Sequence, residues 1–195
     1  MTGTSSAEAE VPELFRTAVT ALRSLRPRPE MELGEVRPPQ RLAPWAFALT
    51  GEVNGAAGEL STGRLILLHD PEGAEAWDGV LRLVAYVRVE LDPELAGDPL
   101  LPEVGWSWLT EALDNCGADW TALGGTVTQT SSARFGDIAG PARTDDLELR
   151  ASWTAVVTDG HAELSPHGAA FCELMTSAVG LPPVGVSMLD HHRPG

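Results

Sequence analysis

V-L-R-L-V-A-Y-V-R-V-E-L, residues Val80 to Leu91, decides the class of fold. Leu81, Leu83, Ala85, Val87, Val89 and Leu91 occupy every second position, with Arg82, Arg88 and Glu90 between them. Successive side chains of a strand point to opposite faces, so this alternation describes a strand with one dry face and one wet face. Such strands belong to antiparallel sheets covered on a single side. Upstream, Asp78-Gly79, Asp70-Pro71-Glu72-Gly73 and Asn54-Gly55 read as turns, with strands between them over Arg64 to His69 and Pro44 to Val53. Downstream, Asp92-Pro93 ends the run, and two further strands are expected over Asp119 to Thr130 and Leu147 to Thr158, joined by a long polar turn.

Three helices complete the pattern. Val11, Leu14, Phe15, Ala18, Val19, Leu22 and Leu25 recur at helical spacing, giving a first helix over residues 11–25 that Pro12 can start. From Val104, residues Trp108, Leu109, Ala112, Leu113 and Cys116 fill one arc at about 100° per residue, with Ser107, Thr110, Glu111, Asp114 and Asn115 opposite. Pro102 suits the first turn of that second helix and Gly117 its left-handed cap. Ser165 and Pro166 open a third helix, which Gly180 and Pro182-Pro183 close. The expected architecture is α+β, one domain over residues 11–183 in the order α-β-β-β-α-β-β-α. It has a single antiparallel five-stranded sheet with its helices on one face. Residues 1–10 are expected to be disordered, 27–43, rich in proline and arginine, to form an extended connector, and 184–195 to form a flexible tail.

Charge narrows the function. Residues 1–43 carry six arginines and six glutamates, whereas residues 44–195 carry seven arginines against twenty-two acids, so the net charge of −15 belongs to the later part. Such a surface repels phosphate backbones, which makes direct nucleic-acid or anionic-membrane binding unlikely except at the arginines from Arg23 to Arg41. All thirteen basic residues are arginine. Without lysine there is no Schiff base, no lysine-anchored pyridoxal phosphate and no P-loop lysine. No apolar run reaches the roughly 20 residues of a membrane helix, and the first ten residues lack a secretion signal, so the expected location is cytoplasmic.

No catalytic set emerges. Gly51-x-x-x-Gly55-x-x-Gly58 lacks the first pair of glycines and the following helix of a dinucleotide loop, and Gly185 to Leu189 fails the serine-hydrolase elbow. Asp159-Gly160-His161 with His167, or His69-Asp70, supplies too few ligands at zinc spacing, so no metal or cofactor is expected. Cys116 and Cys172 read as reduced core thiols. Two surfaces remain. Trp106, on the margin of the second helix's apolar arc, with Glu111 and Asp114 on its polar face, is a candidate contact for a polypeptide partner. His69, Arg82 and Arg88 are the candidate lining of a small-ligand or enzyme pocket between sheet and helices.

L-L-H-D-P from Leu67 to Pro71, V-A-Y-V-R from Val84 to Arg88 and D-P-L-L-P-E-V-G-W-S-W-L-T-E-A-L from Asp98 to Leu113 resemble an actinobacterial family, domain of unknown function three thousand. The resemblance runs from the first helix to Pro183 and implies no activity. The family's genomic company, a ribonuclease D-like exonuclease and a haem-pathway decarboxylase, implies a third possibility, an accessory role in RNA metabolism. The element order is also similar to that of type III secretion chaperones and YbjN-like proteins, an analogy of architecture. The acidic surface, the missing catalytic set and Trp106 favour a non-enzymatic adaptor or chaperone-like module, expected as a homodimer, that holds a polypeptide.

Overall fold

The computed structural model describes residues 10–55, 58–138, 140 and 143–181. The chain runs α1 (Glu13–Arg23), β1 (Met31–Val36), β2 (Trp45–Gly55), β3 (Gly58–Ala74), β4 (Gly79–Leu91), α2 (Leu101–Asn115), β5 (Trp120–Ser132), β6 (Thr144–Ala155) and α3 (Ser165–Ala178). The fold is α+β with one antiparallel sheet, as the alternation in β4 requires, but the sheet has six strands in the order β1-β2-β3-β4-β6-β5. The sixth strand is β1. It lies inside the stretch expected to be a connector, and it changes the element order to α-β-β-β-β-α-β-β-α, removing the match of order to the secretion chaperones.

The physical reason β1 escapes a sequence reading is its position at an edge. Only Met31 is buried in it, and Glu32, Gly34 and Glu35 resemble a solvated linker. Charges in and beside it are nonetheless paired locally at Glu35 and Glu30. Arg23, in the last turn of α1, donates from Nε and Nη2 to the two carboxylate oxygens of Glu35 at 2.9 and 2.7 Å, and Arg28 does the same to Glu30. The Arg23–Glu35 pair therefore ties α1 to the sheet edge.

All three helices cover one face. Leu81, Leu83, Ala85 and Val87 of β4 join Leu65 and Leu67 of β3 and Leu149, Ala151 and Trp153 of β6 in a continuous core with Leu22, Leu109, Leu113 and Phe171 of the helices. Helix α3 sits lowest. Gly51 and Gly63 face each other across β2 and β3, and a Cβ on either would stand 2.7 Å from Met175 Sδ. The pair thus forms a dent that receives α3, the use of strand glycine that allows close approach. Gly168 of α3 plays the reciprocal part, since a Cβ there would meet Leu25 Cδ1 at 2.5 Å.

Helix ends follow the sequence signals. Gly117 and Gly180, both with positive φ, close Schellman motifs, Ala118 N–H donating to Leu113 O and Leu181 N–H to Thr176 O. Other boundaries shift. The expected turn at Asp70 to Gly73 is an irregular extension of β3 whose pairing with β4 breaks between His69 and Ala74, and the reversal occurs at Glu75–Trp77 and Asp78. Strand β6 begins three residues earlier than expected, at Thr144. The expected disordered start, residues 1–9, and the tail from 184 lie outside the described residues, as do the 185–189 motif and the terminal histidines.

Candidate functional site

The two ends of the sheet are unlike each other. Edge strand β1 is six residues long and carries Glu32 and Glu35, two of the devices that discourage strand pairing. Edge strand β5, W-T-A-L-G-G-T-V-T-Q-T-S-S, is thirteen residues long, has no ionisable side chain and buries no residue. Its threonines and valine favour extended backbone, and one side of its ladder has no partner among the described residues. A bulge between Thr121 and Gly124, with Ala122 at φ +49°, interrupts its pairing with β6.

Exposed apolar side chains occur just past β5 and in the loop and first turn of the helix before it. Phe135 and Ile138, just past it, are 81% and 73% exposed, and Leu95, Leu100 and Val104, in the loop before α2 and its first turn, are 51%, 57% and 42% exposed. Gln129 Nε2 donates to Ala96 O at 3.0 Å, which fastens that loop to β5. Large apolar groups left exposed on segments that border a strand edge are candidates for partner contact. Neither these residues nor the edge position of β5 was singled out from the sequence. The available signal was the uncharged run from Trp120 to Ala133.

Helix α2 lies over β5, and its two tryptophans take different sides. Trp108 packs with Val89, Leu91, Leu101 and Leu147. Trp106 stands against β5, its Cζ3 2.9 Å from where a Cβ on Gly125 would lie. Trp106 is half-buried, and Glu111 and Asp114 are exposed. The structure thus brings the Trp106 candidate beside the open edge, with the two acids on the same helix.

His69, Arg82 and Arg88 are not brought together. His69 faces the helices, stacked on Phe15 at 6.1 Å, and its Nδ1 lies 2.9 Å from Val80 O, an acceptor that fixes the proton on Nδ1. Arg82 and Arg88 face the opposite side of the sheet, six residues or about 20 Å apart along β4. Arg88 donates to Asp146 Oδ2 at 2.9 Å, and that hydrogen bond holds its guanidinium firmly charged. Arg82 has neutral acceptors: Nη1 donates to Ala122 O and Thr154 Oγ1, Nη2 to Ser152 Oγ, and burial lowers its pKa. Arg82 therefore pins the β5 bulge to the sheet.

The other chemistry-bearing residues are set in packing roles. Asp159 and Gly160, both at positive φ, form the tight turn that the bridge between Thr158 and His161 encloses. Burial, reinforced by Glu173, raises the Cys116 thiol to about 11, and burial raises Cys172 to about 12, far from a thiolate nucleophile at neutral pH. Among the described residues no group of three or more metal-ligating side chains converges, and no helix is long and apolar enough to cross a membrane.

His167 is 1% exposed and accepts from Trp153 Nε1 at 3.0 Å through Nδ1, so it is neutral with its proton on Nε2. Burial pushes its pKa down from 6.5 to about 4. Between those values the unfolded chain takes up a proton that the folded chain refuses, so stability present above pH 6.5 is lost as pH falls toward 4. The expected slope is about 1.4 kcal/mol per pH unit across that window. Urea unfolding of the wild type and of His167→Gln between pH 7 and 5 checks this; equal slopes for the two would refute it.

The family described as "Protein of unknown function (DUF3000)" matches residues 11–187. No curated protein and no solved structure matches the chain.

Proposed function

Because the chain belongs to the DUF3000 family, whose description carries no activity, we propose from its surface that it is a polypeptide-binding module that adds an extended partner strand beside β5. The carrying observation is that thirteen-residue edge, uncharged and unpaired among the described residues, with exposed apolar side chains just past its end and in the loop that Gln129 fastens to it. Main-chain hydrogen bonds would supply affinity along β5. Trp106, Leu100, Val104 and Phe135 would supply apolar contact at its side and end, with Glu111 and Asp114 at the rim. Amide hydrogen exchange of the full chain, alone and with a partner purified from its native host, tests the reading. Slowed exchange in β5 is expected on binding; slowing confined to α1 and α3 with β5 unchanged would refute it.

A second reading has its own observation, a groove of about 790 Å³ between the end of α1 and α3. Leu25, Ala169, Cys172 and Leu181 make its apolar lining, and Arg26 and Glu173 bring charge to it. Its size is that of a small-ligand site. A ligand-binding or enzymatic role would use this groove rather than His69, Arg82 and Arg88.

A further inference from the structure

From Val89 to Ala133 the chain holds eight acids, Glu90, Asp92, Glu94, Asp98, Glu103, Glu111, Asp114 and Asp119, and no arginine, lysine or histidine. That stretch supplies the end of β4, the loop bearing Leu95 and Leu100, the whole of α2 and all of β5. Glu94, Asp98, Glu103, Glu111 and Asp114 are exposed. The open strand edge is neutral; on the helix side the neighbouring ground, α2 and the loop before it, carries acids and no base. Arg82 and Arg150 lie on the opposite face of the sheet and are held there, Arg82 by Ala122 O, Thr154 and Ser152 and Arg150 by Glu148.

We infer that the strand which adds to β5 is a basic one, an extended segment with alternating apolar residues and arginine or lysine. This rests on the strand-addition reading and gives it a partner chemistry. The neutral edge imposes no charge at the backbone pairing itself, while the acids on α2 and its preceding loop attract cationic side chains that flank the pairing. The same charges disfavour a second copy of this chain as occupant. Pairing β5 with the β5 of a second copy keeps both helical layers on one face of the joined sheet, so two α2 helices that carry acids and no base would approach across the axis. Phe135 and Ile138, three and six residues past the end of β5, provide apolar anchorage at the far end of the edge.

Fluorescence anisotropy with the full-length protein and two labelled decapeptides tests this, one alternating valine with arginine, the other valine with glutamate. At low salt the basic peptide is expected to bind at least about tenfold more tightly, and the difference should shrink as salt shortens the screening length. Exchanging Glu103, Glu111 and Asp114 for their amides should bring the two peptides within about twofold of each other. N-methylation of alternate residues of the basic peptide then separates strand addition from charge alone. Methylation in the register facing β5 should abolish binding, and in the other register should leave it intact. Equal affinity for the two peptides overturns the charge inference and leaves the edge reading standing. Binding that survives methylation in both registers, or no binding by either peptide, overturns the edge reading itself. A stable dimer with β5 amides protected in the absence of peptide assigns the edge to a second copy and overturns the inference.

Discussion

Replacing Trp153 by alanine is expected to lower the free energy of unfolding by about 3–5 kcal/mol, a large part of the stability of an ordinary domain. Trp153 is fully buried on the inner face of β6, and it is the largest of the wholly buried side chains. Two losses combine: the cavity left by an indole in a close-packed interior, and the unpaired Nδ1 of His167. Trp153→Phe separates them, because it keeps most of the volume and removes only the donor. Its cost should fall to about 1–3 kcal/mol. Urea titrations read by circular dichroism check both values, and an alanine variant within about 1 kcal/mol of wild type would contradict the packing described for β6.

The second large effect is expected at Gly125. A Cβ there would stand 2.3 Å from Arg150 O, 2.9 Å from Ala151 Cα and 2.9 Å from Trp106 Cζ3. Two of the three obstacles are the backbone of β6, so relief requires β5 to move away from β6. Gly125→Ala is expected to cost about 3 kcal/mol, and its amide exchange in β5 should quicken more than elsewhere. Gly124 is the internal control. A Cβ on it would meet nothing within 4 Å, so Gly124→Ala should leave stability within about 0.5 kcal/mol of wild type. A Gly125 variant that matched the Gly124 variant in both measurements would mean that β5 is not seated on β6 as described.

The contrast between these glycines also marks where sequence reading stops. The alternation of β4 identified a half-covered sheet because its dry face meets a continuous helical layer, and period-two patterning reports burial directly. The cap glycines of α2 and α3 were legible for a local reason: a left-handed residue is demanded by the backbone itself. Strand β1 was not legible, since an edge strand with one buried side chain has almost no pattern to display. The order β4-β6-β5, which makes β5 an edge, depends on pairing between distant segments and leaves no local trace.

The candidate sites divide on the same line. Trp106 sat at the boundary of an apolar arc, and the structure resolves that position as contact with an edge strand. His69, Arg82 and Arg88 could have been separated from the sequence by parity alone. His69 falls in step with the inward Leu65 and Leu67, while Arg82 and Arg88 fall out of step with the inward Leu81 and Leu83. The exposed Phe135 and Ile138 carried no signal, because an isolated apolar residue in a loop is as often covered as bare.

The unequal edges set the valence of the molecule. A sheet that can be extended at both ends can polymerise, each added body offering a fresh end to the next. Here β1 is short and carries glutamates, so of the two described edges only β5 lacks the features that discourage pairing. A second copy that paired its own β5 there would leave β1 at both ends of the joined sheet, and growth by this route would stop at two chains. One blunted edge thereby keeps a chain with an exposed, neutral strand from being a template for its own fibres.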